Sequence, residues 1–276
     1  MVNTLLRPLN ARLESRTAEL SEANRLRELE SRGYFNRAVF PVLPQFSACD
    51  PLPIFEQIER DKPAFSQVVN AREPSNFPLR NDYCTTPDAE VLYAVVQLYR
   101  PARIVEVGSG YSTQLFRLAI QATGLDIRLT SVDPSPRQEV SRYCDLLIRE
   151  RVEQLENPKV FHDLRANDIL FIDSSHEIKT GNDLLHIMFT ILPGLASGAL
   201  IHFHDIFLPY EYPREWIVEN RWNWTEQYLV QAFLTGNSGL EVLWPGYYLQ
   251  RTRPNFEVSF EHWHNSTARS LWLRKR

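Results

Sequence analysis

Four short apolar runs constrain this chain more than any other feature. Each ends in glycine, a carboxylate or an imidazole. RIVEV (103–107) runs into Gly108-Ser109-Gly110, and RLTSV (128–132) stops at Asp133. DILFID (168–173) ends in an acid followed by Ser-Ser-His176, and ALIHF (199–203) leads to His204-Asp205. These runs are apolar along their length rather than alternating, the pattern of strands buried on both faces. Helical periodicity lies between them, at 112–122 and 184–192. Strands alternating with helices predict an α/β doubly wound, mostly parallel sheet. Ligands of such sheets bind outside the carboxyl ends of the strands, where all four polar signals fall.

The remaining elements are read from caps and breakers. Thr86-Pro87 predicts an N-cap and first helical residue, with Val91, Leu92, Val95, Val96 and Leu98 as the apolar stripe. Ser135-Pro136-Arg137-Gln138 reads as a capping box opening another helix. Residues 152–155 are expected as a short third strand. Asn223 with Glu226 is expected to cap the helix EQYLVQAFL, and 240–244, 247–250 and 270–275 to be closing strands.

With 276 residues, 43% apolar and 23% charged, the composition is globular and excludes a disordered or collagen-like chain. A net charge of −4 argues against a general nucleic-acid binder, which carries a basic face. Cys49, Cys84 and Cys144 are odd in number and widely spaced, against a disulfide framework or a zinc site. The apolar stretch 187–203 contains Pro193, Gly194 and Gly198, too interrupted for a membrane span. The start of the chain is broken by Asn, Arg and Pro before a signal-peptide core forms, so a cytoplasmic protein is expected. Residues 1–81 read as a helical, proline-rich extension, a lid or a homo-oligomer contact. Leu6, Leu13 and Leu20 recur at seven, but Arg27 breaks the series.

The turn Glu106-Val-Gly108-Ser109-Gly110-Tyr-Ser112 fits only part of a dinucleotide fingerprint, because Thr113 stands where a third glycine would. Glu106 would repel a pyrophosphate but suits a cationic ligand. S-adenosyl-L-methionine carries an ammonium and a sulfonium and no phosphate. With Asp133 placed to accept both ribose hydroxyls, residues 82–276 resemble the class I S-adenosylmethionine-dependent methyltransferases. The segment 167–205 resembles a bacterial subgroup with "ID-x-x-H" and "HD" strand ends, related to small-molecule and sugar O-methyltransferases.

That resemblance implies a seven-stranded Rossmann-like sheet with an antiparallel last strand, 270–275. It implies methyl transfer to a hydroxyl of a small molecule or a sugar or glycan. The cofactor residues are then Glu106, Gly108, Ser109, Gly110, Ser112, Asp133 and Asp173. The catalytic residues are Asp173, His176 as general base and His204 in reserve. In metal-dependent relatives the matching acids hold Mg²⁺, which would make Asp173 and Asp205 ligands. His204 replaces an acid there, and Mg²⁺ prefers oxygen, so a softer divalent ion or no metal fits as well. His202 shares the face of His204 and reads as a core or supporting group. Tyr210, Tyr212, Trp216, Trp222 and Trp224 form either a substrate wall or an ordinary cluster, and Arg214 and Arg221 an anion site or solvated charges. His262 and His264 carry no assigned role. Two other readings stay open: an NAD(P)-dependent oxidoreductase, and a non-catalytic cofactor-binding assembly module.

Overall fold

The computed structural model describes residues 16–70 and 77–276. Leu6 and Leu13 lie outside them. The chain divides into two compact units. The larger takes in 41–209 and 224–276, and the smaller 16–40 with 210–223.

In the smaller unit, helix α1 (Thr17–Ser31) has no buried residue and carries charge pairs one turn apart. Ala38 bridges Tyr210 in antiparallel fashion, and a π-helical turn spans Glu215–Glu219. Arg214 pairs with Glu30 and Glu219, so its charge is met within the unit.

After a single helical turn at Pro44–Ser47, the larger unit continues with helix α2 (Leu52–Asn70), followed by α3 (Asp88–Tyr99). The compact body thus takes in residues 41–70, which the sequence grouped with the N-terminal extension. The strands are β1 (Arg103–Val107), β2 (Arg128–Val132), β3 (Leu146–Ile148), β4 (Ile169–Ile172), β5 (Leu200–Phe203), β6 (Leu240–Pro245) and β7 (Leu271–Lys275). They form one seven-stranded sheet in the order β3-β2-β1-β4-β5-β7-β6, parallel except for β7.

Helix α4 (Tyr111–Thr123) joins β1 to β2, and a helical segment at 183–194 joins β4 to β5. The two crossovers run in opposite directions along the sheet. Right-handed connection therefore puts them on opposite faces. On the α4 face, Ile104, Leu129, Ile169 and Leu200 pack with Val91–Val96 of α3 and with Leu115, Phe116, Ala119 and Ile120 of α4. Register continues that face upward through Glu106, Ser131, Phe171, His202 and Trp272. One face thus changes from aliphatic to polar and aromatic on approaching the carboxyl edge.

Helix α5 (Glu226–Leu234) and helix α6 (Gly246–Thr252) complete the body. Several elements depart from the local reading. No helix opens at Ser135, because the Asp133 carboxylate accepts the Ser135 N–H at 2.8 Å in an Asx turn. The third strand is Leu146–Ile148, a half-exposed edge, and Val152–Gln154 is a 3-10 turn. Residues 247–250 are helical, because Pro245 closes β6 and Gly246 sits against the Ser270 carbonyl, where a Cβ would come within 2.8 Å. Thr225, not Asn223, precedes α5. Thr86 accepts no helix N–H; its hydroxyl donates to Glu90 at 2.8 Å instead.

Phe116 is fully buried and meets Phe171 edge to face at 5.1 Å. Phe116→Ala is expected to cost about 3–5 kcal/mol in denaturant unfolding. Phe189→Ala, at a side chain 68% exposed, is expected to stay within about 0.5 kcal/mol. Equal effects would contradict the assigned core.

Candidate active site

The β1 turn is shaped by a close backbone approach. Gly108 has φ +88°, and a Cβ there would lie 1.9 Å from the Asp173 carbonyl oxygen. Only glycine lets the ends of β1 and β4 come together. The Asp173 N–H donates to Val107 and the Gly108 N–H to Val132, both at 3.0 Å. Ser109 donates to Asp133 at 2.6 Å, tying the β1 and β2 ends, and Gly110 precedes α4. Ser109, Gly110, Asp133 and Asp173 all retain some exposure.

Glu106 and Ser112 are placed differently from their neighbours. Glu106 is fully buried. Its carboxylate accepts hydrogen bonds from Ser112, from Thr113 at 2.6 Å and from Ser131 at 3.0 Å. Burial pushes this carboxyl up to about 7 against those three donors. It knots the first turn of α4 to β1 and β2, and its hydrogen bonds are internal.

A second cluster forms where β4 and β5 end. His176 is buried, with Nδ1 2.7 Å from Glu226. Its Nε2 lies 3.2 Å from Asp173 and 3.7 Å from Asp205. Trp224 stacks on the ring at 4.1 Å. The backbone explains the placement. His176 has φ +57°, and its carbonyl accepts the Thr225 and Glu226 N–H groups at 2.8 and 3.1 Å, capping α5. Burial alone would lower the His176 pKa, but Asp173 and Glu226 hold it well above the usual value. Burial alone would raise the Asp173 carboxyl, but the His204 and His176 imidazoles hold it well below the usual range. Both His176 nitrogens are engaged, so the ring presents no free base.

Asp205 also has φ +56° and is buried, yet its Oδ1 accepts no hydrogen bond. Arg269 approaches that atom only to 3.6 Å. Among the described residues, Asp173, His176 and Asp205 form one group whose ligand atoms lie within 4.8 Å of one another. His204 lies outside that group. It is buried, with Nε2 3.2 Å from the Tyr83 carbonyl and Nδ1 unpartnered. A carbonyl can only accept, so Nε2 carries the hydrogen and Nδ1 keeps a lone pair in the neutral ring. His202 is fully buried and stacks on Phe171 at 3.8 Å.

Sequence reasoning missed Glu226, which it read as a helix cap. Its carboxylate instead reaches a histidine fifty residues earlier. Of the remaining candidates, Trp224 joins the cluster through His176, while Trp216 and Trp222 pair with each other at 5.1 Å in the smaller unit. His262 and His264 bond to Ser66 and Thr85.

The raised Glu106 pKa has a consequence for stability. Above about 4.5 the unfolded side chain loses its proton while the folded one keeps it to about 7. Glu106 therefore costs stability as pH rises through that window. Glu106→Gln removes the titration, so the variant's melting temperature relative to wild type is expected to rise between pH 5 and pH 8. The gain is up to about 3 kcal/mol. A flat difference across that range would contradict the buried, ionisable assignment.

Residues 105–206 match a family model described as a methyltransferase domain. No curated protein matches the sequence. Solved structures that superpose include the S-adenosylhomocysteine-bound methyltransferase PaMTH1 of Podospora anserina, at 14% identity, TM-score 0.43, and 82% and 89% of the two chains. The O-methyltransferase TomG of Streptomyces achromogenes, in complex with S-adenosylmethionine, matches at 15% identity and TM-score 0.41 over 80% and 88%. An O-methyltransferase of Bacillus cereus in complex with S-adenosylhomocysteine matches at 12% and 0.38 over 81% and 90%. Among the described residues no helix is long and apolar enough to cross a membrane. The segment that matches the methyltransferase-domain model, residues 105–206, carries strands β1 to β5 of the seven-stranded sheet.

Proposed function

We propose that the chain transfers a methyl group from S-adenosyl-L-methionine to a hydroxyl of a small molecule, sugar or glycan. One observation carries this reading. The partly open carboxylates Asp133 and Asp173 flank the Gly108–Gly110 turn at adjoining strand ends, with the acid Glu106 beneath it. Carboxylates on both sides favour a sulfonium donor over a pyrophosphate. Asp133 accepts the ribose hydroxyls, the turn seats the methionine end, and Asp173 lies beside the transferred methyl. Glu106 acts through the turn that it knots together. The relatives named above with bound S-adenosylmethionine or its demethylated product agree with this donor.

The donor set of Asp173, Asp205 and His176 fits a divalent cation. The buried Asp205 Oδ1 accepts no hydrogen bond, with Arg269 no nearer than 3.6 Å, and Glu226 behind His176 Nδ1 is the partner that orients a ligating imidazole. Two oxygens and one nitrogen suit Mn²⁺, Fe²⁺ or Zn²⁺ better than Mg²⁺. Such an ion would lower the pKa of an acceptor hydroxyl. The protein's own residues then do the rest. Asp173 and the turn align acceptor oxygen, methyl and sulfur for in-line displacement. The acceptor proton passes to His204 Nδ1, the imidazole nitrogen left with a lone pair. His176 is the ligand and His204 the base, where the sequence reading made His176 the base and held His204 in reserve.

Calorimetric titration with S-adenosylhomocysteine tests the cofactor, and turnover tests the base. Asp133→Ala is expected to weaken binding by about 10–100-fold. His204→Ala is expected to leave binding intact while kcat falls by about 10²–10⁴-fold. Binding of NAD(P) in place of S-adenosylhomocysteine would overturn the reading. Undiminished turnover in His204→Ala would overturn the base assignment.

A further inference from the structure

A small cleft lined by both apolar and charged side chains lies outside the strand ends, between α2, α3 and the Glu261-His262 segment. Two of its lining carboxylates are half satisfied. Glu90, only 6% exposed, accepts the Thr86 hydroxyl on Oε1 at 2.8 Å, while Oε2 is buried without a partner. Asp61 accepts the Gln57 amide on Oδ1 at 2.9 Å, while Oδ2 is likewise buried without a partner. Glu261 is the third carboxylate, held by Ser66 at 3.0 Å. The one lysine on the cleft, Lys62, is paired with Glu59.

We propose that this cleft binds a primary ammonium group, the head of an amine-bearing small molecule. Buried carboxylate oxygens without donors are costly, and two such residues lining one cleft call for a shared donor. The balance of charge along the cleft is negative, so that donor is a cation. The space admits about one water-sized group, which excludes a nucleotide or a sugar and fits an ammonium head. Three N–H bonds can serve Glu90, Asp61 and a third acceptor, and Phe65 and Tyr93 supply aromatic surface. A metal ion fits less well, because among the described residues these carboxylates do not close into a ligand set as Asp173, His176 and Asp205 do. Burial pushes both carboxyls up, Glu90 to about 7, and for Asp61 it outweighs the Gln57 hydrogen bond and the Arg60 charge. None of these residues belongs to the methyl-transfer cluster, so the site stands apart from that reading.

The test is an NMR titration of the full chain with ethylammonium chloride, with sodium chloride at matched ionic strength and magnesium chloride as controls. Saturable shifts confined to the cleft are expected. Affinity should fall about tenfold or more in Asp61→Asn and in Glu90→Gln, while S-adenosylhomocysteine binding stays at the wild-type level. Asp61 is half-buried near the surface, so that variant keeps the test open should Glu90→Gln not fold. Shifts equal to those of sodium, shifts unchanged in Asp61→Asn, or saturation by magnesium instead of ethylammonium would each overturn the proposal.

Discussion

The site depends on the parallel pairing of β1 with β4. These strands are central, and their register sets Glu106 opposite Phe171 and Val107 opposite Ile172. Their ends meet because Gly108 has no side chain where the Asp173 carbonyl passes. From that contact the rest follows. The β1 turn is free to bend toward Asp133 on one side. On the other, Asp173 is held where His176 can reach it. A sheet built in another order would scatter the same residues.

Acids at opposite ends of β4 illustrate how position decides role. Asp168 is almost fully buried and accepts the backbone N–H groups of Ala102, Arg103 and Arg165. It is spent on pinning the amino edge. Asp173, five residues on, stays partly exposed, with its carboxylate 3.2 Å from the His176 imidazole. The amino edge is sealed by structure, and the carboxyl edge leaves Asp133 and Asp173 partly exposed.

The four central strands were legible because burial on both faces forces apolar runs, and because the polar break after each is abrupt. The placement of Asp133, Asp173 and Asp205 just past strand ends was legible for the same reason. What local pattern could not show was partnership. Glu106 and Ser112 read as ligand contacts, yet they spend their hydrogen bonds on each other and on Thr113 and Ser131. The Ser135 capping pattern failed because Asp133 competes for the same backbone donor. Glu226 was hidden, because a helix-start glutamate looks alike whether it caps its own turn or holds a histidine fifty residues away. Which nitrogens of His176 and His204 have partners is likewise something that spacing along the chain does not encode.

The central claim is that one edge of this sheet binds a sulfonium donor between Asp133 and Asp173. A crystal structure with S-adenosylhomocysteine tests it most directly. The expected result places the ribose hydroxyls on Asp133, the methionine end along Gly108–Gly110, and the sulfur beside Asp173, facing His204. Adenosine or sulfur elsewhere on the chain, or a nucleotide phosphate seated on the glycine turn instead, would contradict it.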